Sequence, residues 1–347
     1  MRSLISGSRL RAYFEFLLAA FFFMAARYMA AKGADAWANE AFQPLTEQFL
    51  LVVFLLIGFA VLGWRFDSQA HPISGQGLPL RPGWPREAAL GLVTGWGVAV
   101  VCMLPLVLLG GVAVSVTAHL ANWGWLLVEI AFFALLALAE EIAFRGYAFQ
   151  RFAASVGKTG AAIAFAIFYA MLQAVLPGAS HTAFWVGIVF SLLLSTAYLR
   201  SGALWVSWGV NFGWKASRAL LFGLAVNGVN SHSPIVQGDP LGSFWLSGGA
   251  FGLDASWLAF LVLLLAFPAL LALTSELNDL YNPLVIEPGG IAVDLDAIQR
   301  AQHEAASAPA APPPLVQILP AAPAPPLVPL APAPPAVPPQ EAPSQQE

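Results

Sequence analysis

The chain has 347 residues, 59% of them hydrophobic and only 10% charged, and its mean hydropathy is +0.72. A water-soluble domain is roughly a quarter charged, so this composition excludes an ordinary soluble protein and points to an integral membrane protein. The formal net charge of −4 argues against a nucleic-acid partner, and the one cysteine, Cys102, excludes an internal disulfide.

A helix needs about 20 mostly apolar residues to cross a bilayer. By that measure eight spans are expected, over residues 12–31, 48–64, 88–117, 124–149, 160–176, 183–200, 203–226 and 256–275. The fold class expected is therefore all-α, a polytopic membrane protein. The first span follows Arg2, Arg9 and Arg11 as a signal peptide would, but its apolar run is too long for a cleaved one. It reads as a retained helix. The third is long enough to tilt or break, with Pro105, Gly110 and Gly111 as the places to do so. Glu15 and Arg27 lie near the ends of the first span and are expected to snorkel outward. Glu129 reads as an interfacial acid, and tryptophans such as Trp37, Trp64, Trp84, Trp123, Trp125 and Trp257 mark span ends.

Orientation follows from the basic residues. Arg2, Arg9 and Arg11, then Arg65, Arg81 and Arg86, then Arg151 and Lys158, then Arg200 fall in connections on one side. The opposite connections hold only Lys32. Both termini are thus expected in the cytoplasm of a cell-membrane protein. Beyond the last span the material changes. From Pro309 onward stand 15 of the 27 prolines, among alanine, leucine, valine and glutamine. Proline fixes φ and removes donors, so this tail is expected to be disordered and partly polyproline-II. It reads as a spacer, and any tail partner stays unspecified. Three regions result: an N-terminal membrane region at 1–84, a main transmembrane domain at 85–275 and the tail at 276–347.

Charge inside the spans is the sharper signal. In "ALLALAEEIAFRGYAFQ" (134–150) two adjacent glutamates and an arginine interrupt the most apolar part of the chain. Intramembrane ionisable groups face the protein interior and are functional by default. Glu141 and Arg145 are four apart with the acid first, the order that favours an intrahelical pair. Glu140 lies about 100° round the helix and has no partner in its own span. It is the candidate acid or base, although the three charges also suit a structural lock between helices. No glycine-rich phosphate loop or cysteine–histidine cluster is present, so no cofactor and no metal are expected.

"EEIAFRG" resembles the EExxxR motif of the CPBP family, the CAAX prenyl protease and bacteriocin-processing group of intramembrane endopeptidases. "GIVFSLLLSTAYLRSGALWVSWGVNFGWKAS" is similar to the family's helix, basic turn and next helix, and "FGLAVNG" and "GGAFGLDASWLAFL" to its closing segment. The resemblance covers roughly residues 85–275. It implies a protease-like helical bundle in which the first glutamate, here Glu140, activates water with a histidine of an FxxxH motif. It further implies a third motif, HxxxN or HxxxD, that holds the oxyanion. Here the second motif falls on "FAIFY", with Phe165 in place and Tyr169 where the histidine belongs. The third falls on "NFGWK", with Asn211 for histidine and Lys215 for asparagine. The five histidines, His71, His119, His181, His232 and His303, all lie outside the expected spans.

The site residues expected from the resemblance are therefore Glu140, Glu141 and Arg145 with Tyr169, Asn211 and Lys215. Tyrosine, with a pKa of about 10, is a poor proton-transfer partner near neutrality. Asn211 is suited to an oxyanion, and Lys215 is expected to pair with an acid in the pocket, although it and Arg218 also suit snorkelling to the cytoplasmic edge. The implied activity is peptide-bond hydrolysis in the membrane, weak or lost. The implied partners are membrane lipids and membrane-embedded or prenylated peptides. An active protease using Tyr169 and Asn211, a non-catalytic scaffold or peptide binder, and a proton-linked carrier using Glu140 and Lys215 are the alternatives.

Overall fold

Two long helices open the chain, α1 (Arg2–Trp37) and α2 (Gln43–Asp67), which pair as a hairpin. Ala19, Ala26, Ala30 and Ala34 of α1 are buried, while Phe21, Met24, Tyr28 and Met29 point outward. A soluble helix does the reverse. Small residues inside let backbones approach, and large apolar ones outside suit hydrocarbon as the solvent.

The computed structural model describes residues 2–67, 72–117, 119–229, 233–282 and 303. A short helix α3 (Pro72–Gly75) leads to α4 (Trp84–Leu108). After it Gly110 turns the chain with φ +69°, and the β-branched alternation "VAVSV" forms β1 (Val112–Val116). Next come α5 (Leu120–Arg145), α6 (Tyr147–Val156), α7 (Lys158–Ala174), α8 (His181–Ser201) and α9 (Leu204–Ala216). A π-helical turn, Ser217–Leu221, ends α9. Strand β2 (Val236–Pro240) then pairs antiparallel with β1, Val112 opposite Pro240 and Val116 opposite Val236. A short α10 (Phe244–Ser247) and two single 3₁₀ turns precede α11 (Trp257–Leu273), which bends by 58° into α12 (Ser275–Tyr281).

Among the described residues four helices are long and apolar enough to cross a membrane: α1 from Arg9, α2, α4 and α8. The count is five if the bent α11–α12 pair is one span, and α7 is a shorter apolar helix. The third span, expected to run to 117, stops at Leu108, because its last residues pair with β2 instead. An otherwise helical protein thus gains one hairpin-like ribbon between distant connections. Helix α12 occupies the start of the expected tail. The Pro/Ala-rich tail beyond it, like His71 and His232, lies outside the described residues. Glu15, expected to snorkel, is buried instead. It accepts from Arg11 Nε at 2.8 Å and lies 3.6 Å from Arg151, so it ties α1 to α6.

Helices α4 and α9 approach backbone to backbone. A Cβ on Gly91 would stand 2.1 Å from the Val206 oxygen, and one on Gly95 2.2 Å from the Val210 oxygen. From the other side, Gly209 meets the Ala88 oxygen at 2.3 Å and Gly213 the Leu92 oxygen at 2.5 Å. Two four-residue glycine repeats thus interlock, backbone on backbone. This contact fixes the helix that carries Asn211 and Lys215.

Candidate functional site

Glu140 and Glu141 sit in the last turns of α5, which ends at Gly146. Glu141 is fully buried, and its Oε1 accepts from Arg145 Nη1 at 3.1 Å and from Asn211 Nδ2 at 2.9 Å. Arg145 continues to α8, where its Nη2 donates to the Ser191 carbonyl at 3.1 Å and the Ser191 hydroxyl at 2.9 Å. The expected intrahelical pair is therefore present and anchors a second helix as well.

Glu140 is bound from α9. Asn211 Nδ2 donates to its Oε2 at 3.0 Å, and Lys215 Nζ forms an ion pair with its Oε1. Asn211 and Lys215 are four residues apart and so share one face of α9, which lets two consecutive turns serve two consecutive glutamates. Two acids and two bases make the cluster formally neutral. That balance is what a low-dielectric interior requires of buried charge. The two basic residues for which snorkelling was an alternative are both buried against acids. Lys215 is buried on Glu140, and Arg218 is buried with Nη1 2.8 Å from Asp254 Oδ2, its guanidinium 4.2 Å from the centre of the Trp214 ring.

Glu140 lines a cavity of about 290 Å³ between α1, α2, α5, α7 and the loop after the π-turn. Tyr169 lines the same cavity, and its hydroxyl oxygen accepts from Gln173 Nε2 at 3.0 Å. Arg27, Glu47 and Gln48 line it too, so Arg27 belongs to the cavity wall. His119, His181 and His303 are exposed. Among the described residues no three His, Cys, Asp or Glu side chains converge on a metal position.

Chemically, the arrangement holds a carboxylate with both oxygens engaged, at the wall of a mostly apolar cavity. Sequence reasoning missed Asp254, Ser191 and Gln173. Asp254 was the one with a signal, a lone acid within the apolar "FGLDASW" stretch and an unclaimed arginine upstream.

A mostly helical bundle with large apolar side chains outside and neutralised charge inside is a membrane protein. Residues 121–217, from the start of α5 to the π-turn, match the family model described as Rce1-like, type II CAAX prenyl endopeptidase Rce1-like. The likeness read from the motifs is thus found over the segment that carries Glu140, Glu141, Arg145, Tyr169, Asn211 and Lys215, and over less of the chain than the 85–275 expected. No curated protein and no solved structure matches the chain.

Proposed function

We propose that this chain is a peptide-binding membrane protein of the CAAX endopeptidase type in which proteolysis is weak or lost. The observation that carries the reading is the closure of Glu140 by Lys215 and Asn211. A general base takes water's proton, and a carboxylate that already holds an amide on one oxygen and an ammonium on the other is less available for it. In the proposal Tyr169, Asn211 and Lys215 stand in the places of the family's two histidines and its amide. The cavity keeps the shape for peptide while the water-activating pair is gone.

The test is cleavage of membrane-embedded reporter peptides. The native protein is expected to cleave little or none, and the combined change Tyr169→His, Asn211→His and Lys215→Asn to gain activity that Glu140→Gln abolishes. Each single change is expected to do little, because groups acting as a unit are strongly non-additive. Native cleavage that Glu140→Gln stops would overturn the reading and leave Tyr169 and Asn211 carrying the chemistry.

The proposal includes eight crossings of the cell membrane, with α5, α7, α9 and α11 completing the four longer helices. Both termini are in the cytoplasm, and the Pro/Ala-rich tail is a spacer. Reporter fusions are expected to read cytoplasmic after Ser68 and at the tail, and exterior after Ser180. An exterior tail would reject the eight-span count.

A further inference from the structure

The cavity beside Glu140 carries a second set of polar groups, none of them in the motifs. Gln48 comes from α2, Gln173 from α7, and Asn227 from the loop after the π-turn. Gln48 Oε1, Gln173 Oε1 and Asn227 Oδ1 are all buried, and none has a hydrogen-bond partner among the described residues. Other buried polar atoms lack a partner among the described residues too, Gln76 Oε1 and Asn211 Oδ1 among them, but those lie outside this cavity. Three on the wall of one cavity call for a shared explanation.

Their setting is fixed rather than loose. Gln173 is 92% buried, and its Nε2 is engaged by the Tyr169 hydroxyl oxygen, which leaves Oε1 as its unused atom. The same bond leaves the Tyr169 hydroxyl proton with no acceptor among the described residues. Asn227 is the one non-glycine residue with positive φ among the described residues, at +53°. Its backbone N–H donates to Asp254 Oδ2 at 3.4 Å, and the next residue's N–H to the Phe251 oxygen at 3.1 Å. Asparagine takes this left-handed backbone at little cost, and the two bonds hold the loop that carries its side chain.

Beside the charged Arg27, Glu47 and Glu140, the wall thus offers three unpartnered amide oxygens and the Tyr169 hydroxyl above apolar surface from Phe23, Phe132, Phe133 and Phe144. A lipid acyl chain has no donors to give such a wall, and a phosphate headgroup could meet Arg27 but would bring only acceptors to the three amide oxygens. A simple organic cation meets Arg27 on the same wall and Lys215 already seated on Glu140. An extended peptide fits. Its backbone N–H groups and carbonyls run along the strand edges, and alternate side chains turn to opposite faces.

We propose that Gln48, Gln173 and Asn227, with the Tyr169 hydroxyl, bind the backbone of an extended apolar peptide in the Glu140 cavity. The inference rests on the peptide-binding reading above and adds how the peptide is recognised: through its main chain, with little preference for side-chain sequence. Main-chain hydrogen bonds supply the affinity in such recognition, as when a strand is added to a sheet edge.

The experiment uses the full chain in lipid nanodiscs and a fluorescent hexapeptide of alternating alanine and leucine, capped at both ends. The comparison probe is the same peptide with alternate backbone nitrogens methylated, which removes donors and keeps the apolar body. Empty nanodiscs correct for partition into lipid. The unmodified peptide is expected to bind roughly tenfold tighter or more, because a site built for a donor rejects the analogue that lacks it. Gln173→Leu and Asn227→Leu are expected to bring the ratio toward one while binding of the methylated peptide changes little. The comparison on the native chain needs no variant to fold. Equal binding of both peptides would overturn the backbone reading and leave peptide binding standing. Full discrimination in folded Gln173→Leu and Asn227→Leu proteins would show that these amides are not the readers. Binding of neither peptide would overturn the peptide-binding reading, and this inference with it.

Discussion

Arg145→Ala is expected to lose about 3–5 kcal/mol of stability, the cost of stripping the partner from a buried charge. The side chain is 1% exposed, its partner Glu141 is fully buried, and the guanidinium is also the link to Ser191 on α8. Its removal leaves a carboxylate in the bundle interior and separates two helices from each other. Arg151→Ala is the matched control. That arginine is 21% exposed and lies 3.6 Å from Glu15, which keeps Arg11 at 2.8 Å when it is gone. Thermal melts in detergent are the measurement, and a large loss for Arg145→Ala beside a small one for Arg151→Ala is the expected result. Equal melting of the two variants would show that neither the buried pair nor the Arg145–Ser191 link carries this stability. Glu141→Gln added to Arg145→Ala is expected to recover part of the loss, since the bare charge is then gone.

Adding one methyl group at the α4–α9 contact is expected to be the other large effect. Gly91→Ala and Gly209→Ala each place a Cβ 2.1–2.3 Å from a backbone carbonyl oxygen of the facing helix. Backbone cannot swing aside as a side-chain tip can, so the two helices must separate. Overpacking of this kind costs typically about 1–3 kcal/mol, and here the separation also shifts Asn211 and Lys215 relative to the glutamates. Gly97→Ala supplies the contrast within α4, because nothing lies within 4 Å of a Cβ there. That change is expected to be neutral or to stabilise by about 0.5–1 kcal/mol, the helix-interior preference for alanine over glycine. If all three substitutions melt alike, the glycines are not the reason the helices are close.

What the sequence disclosed and what it withheld divide along physical lines. The Glu141–Arg145 pair was legible because an (i, i+4) relation within one helix depends on spacing alone. Lys215 was legible as needing an acid, since a cation that deep in an apolar run has few alternatives. Glu140 was legible as unpartnered in its own helix, and the resemblance to the family supplied α9 as its neighbour. The fate of Glu15 was not legible, because its position near a helix end suited snorkelling equally well and only the packing of α6 on α1 buried it. The β1–β2 pairing was hidden for a similar reason. "VAVSV" is as apolar as the span before it, and its partner lies 120 residues further on, from Val116 to Val236. The amides of the cavity left no trace at all, since Gln48 and Gln173 are unremarkable until two helices and a loop bring them, with Asn227, to one wall.

The Arg218–Asp254 pair joins residues 36 positions apart, and that separation is also a delay. A ribosome adding roughly 5–20 residues per second takes a few seconds to cover it. When α9 emerges, Glu140 has already been made and Lys215 can be neutralised at once. Arg218 has only the face of Trp214 and that residue's carbonyl oxygen, at 3.0 Å from Nε, until the closing segment arrives. The cavity wall at Asn227 waits on the same aspartate. The bundle therefore acquires its first ion cluster midway through synthesis and its second only near the end. A chain cut short before Asp254 would leave Arg218 without its carboxylate partner.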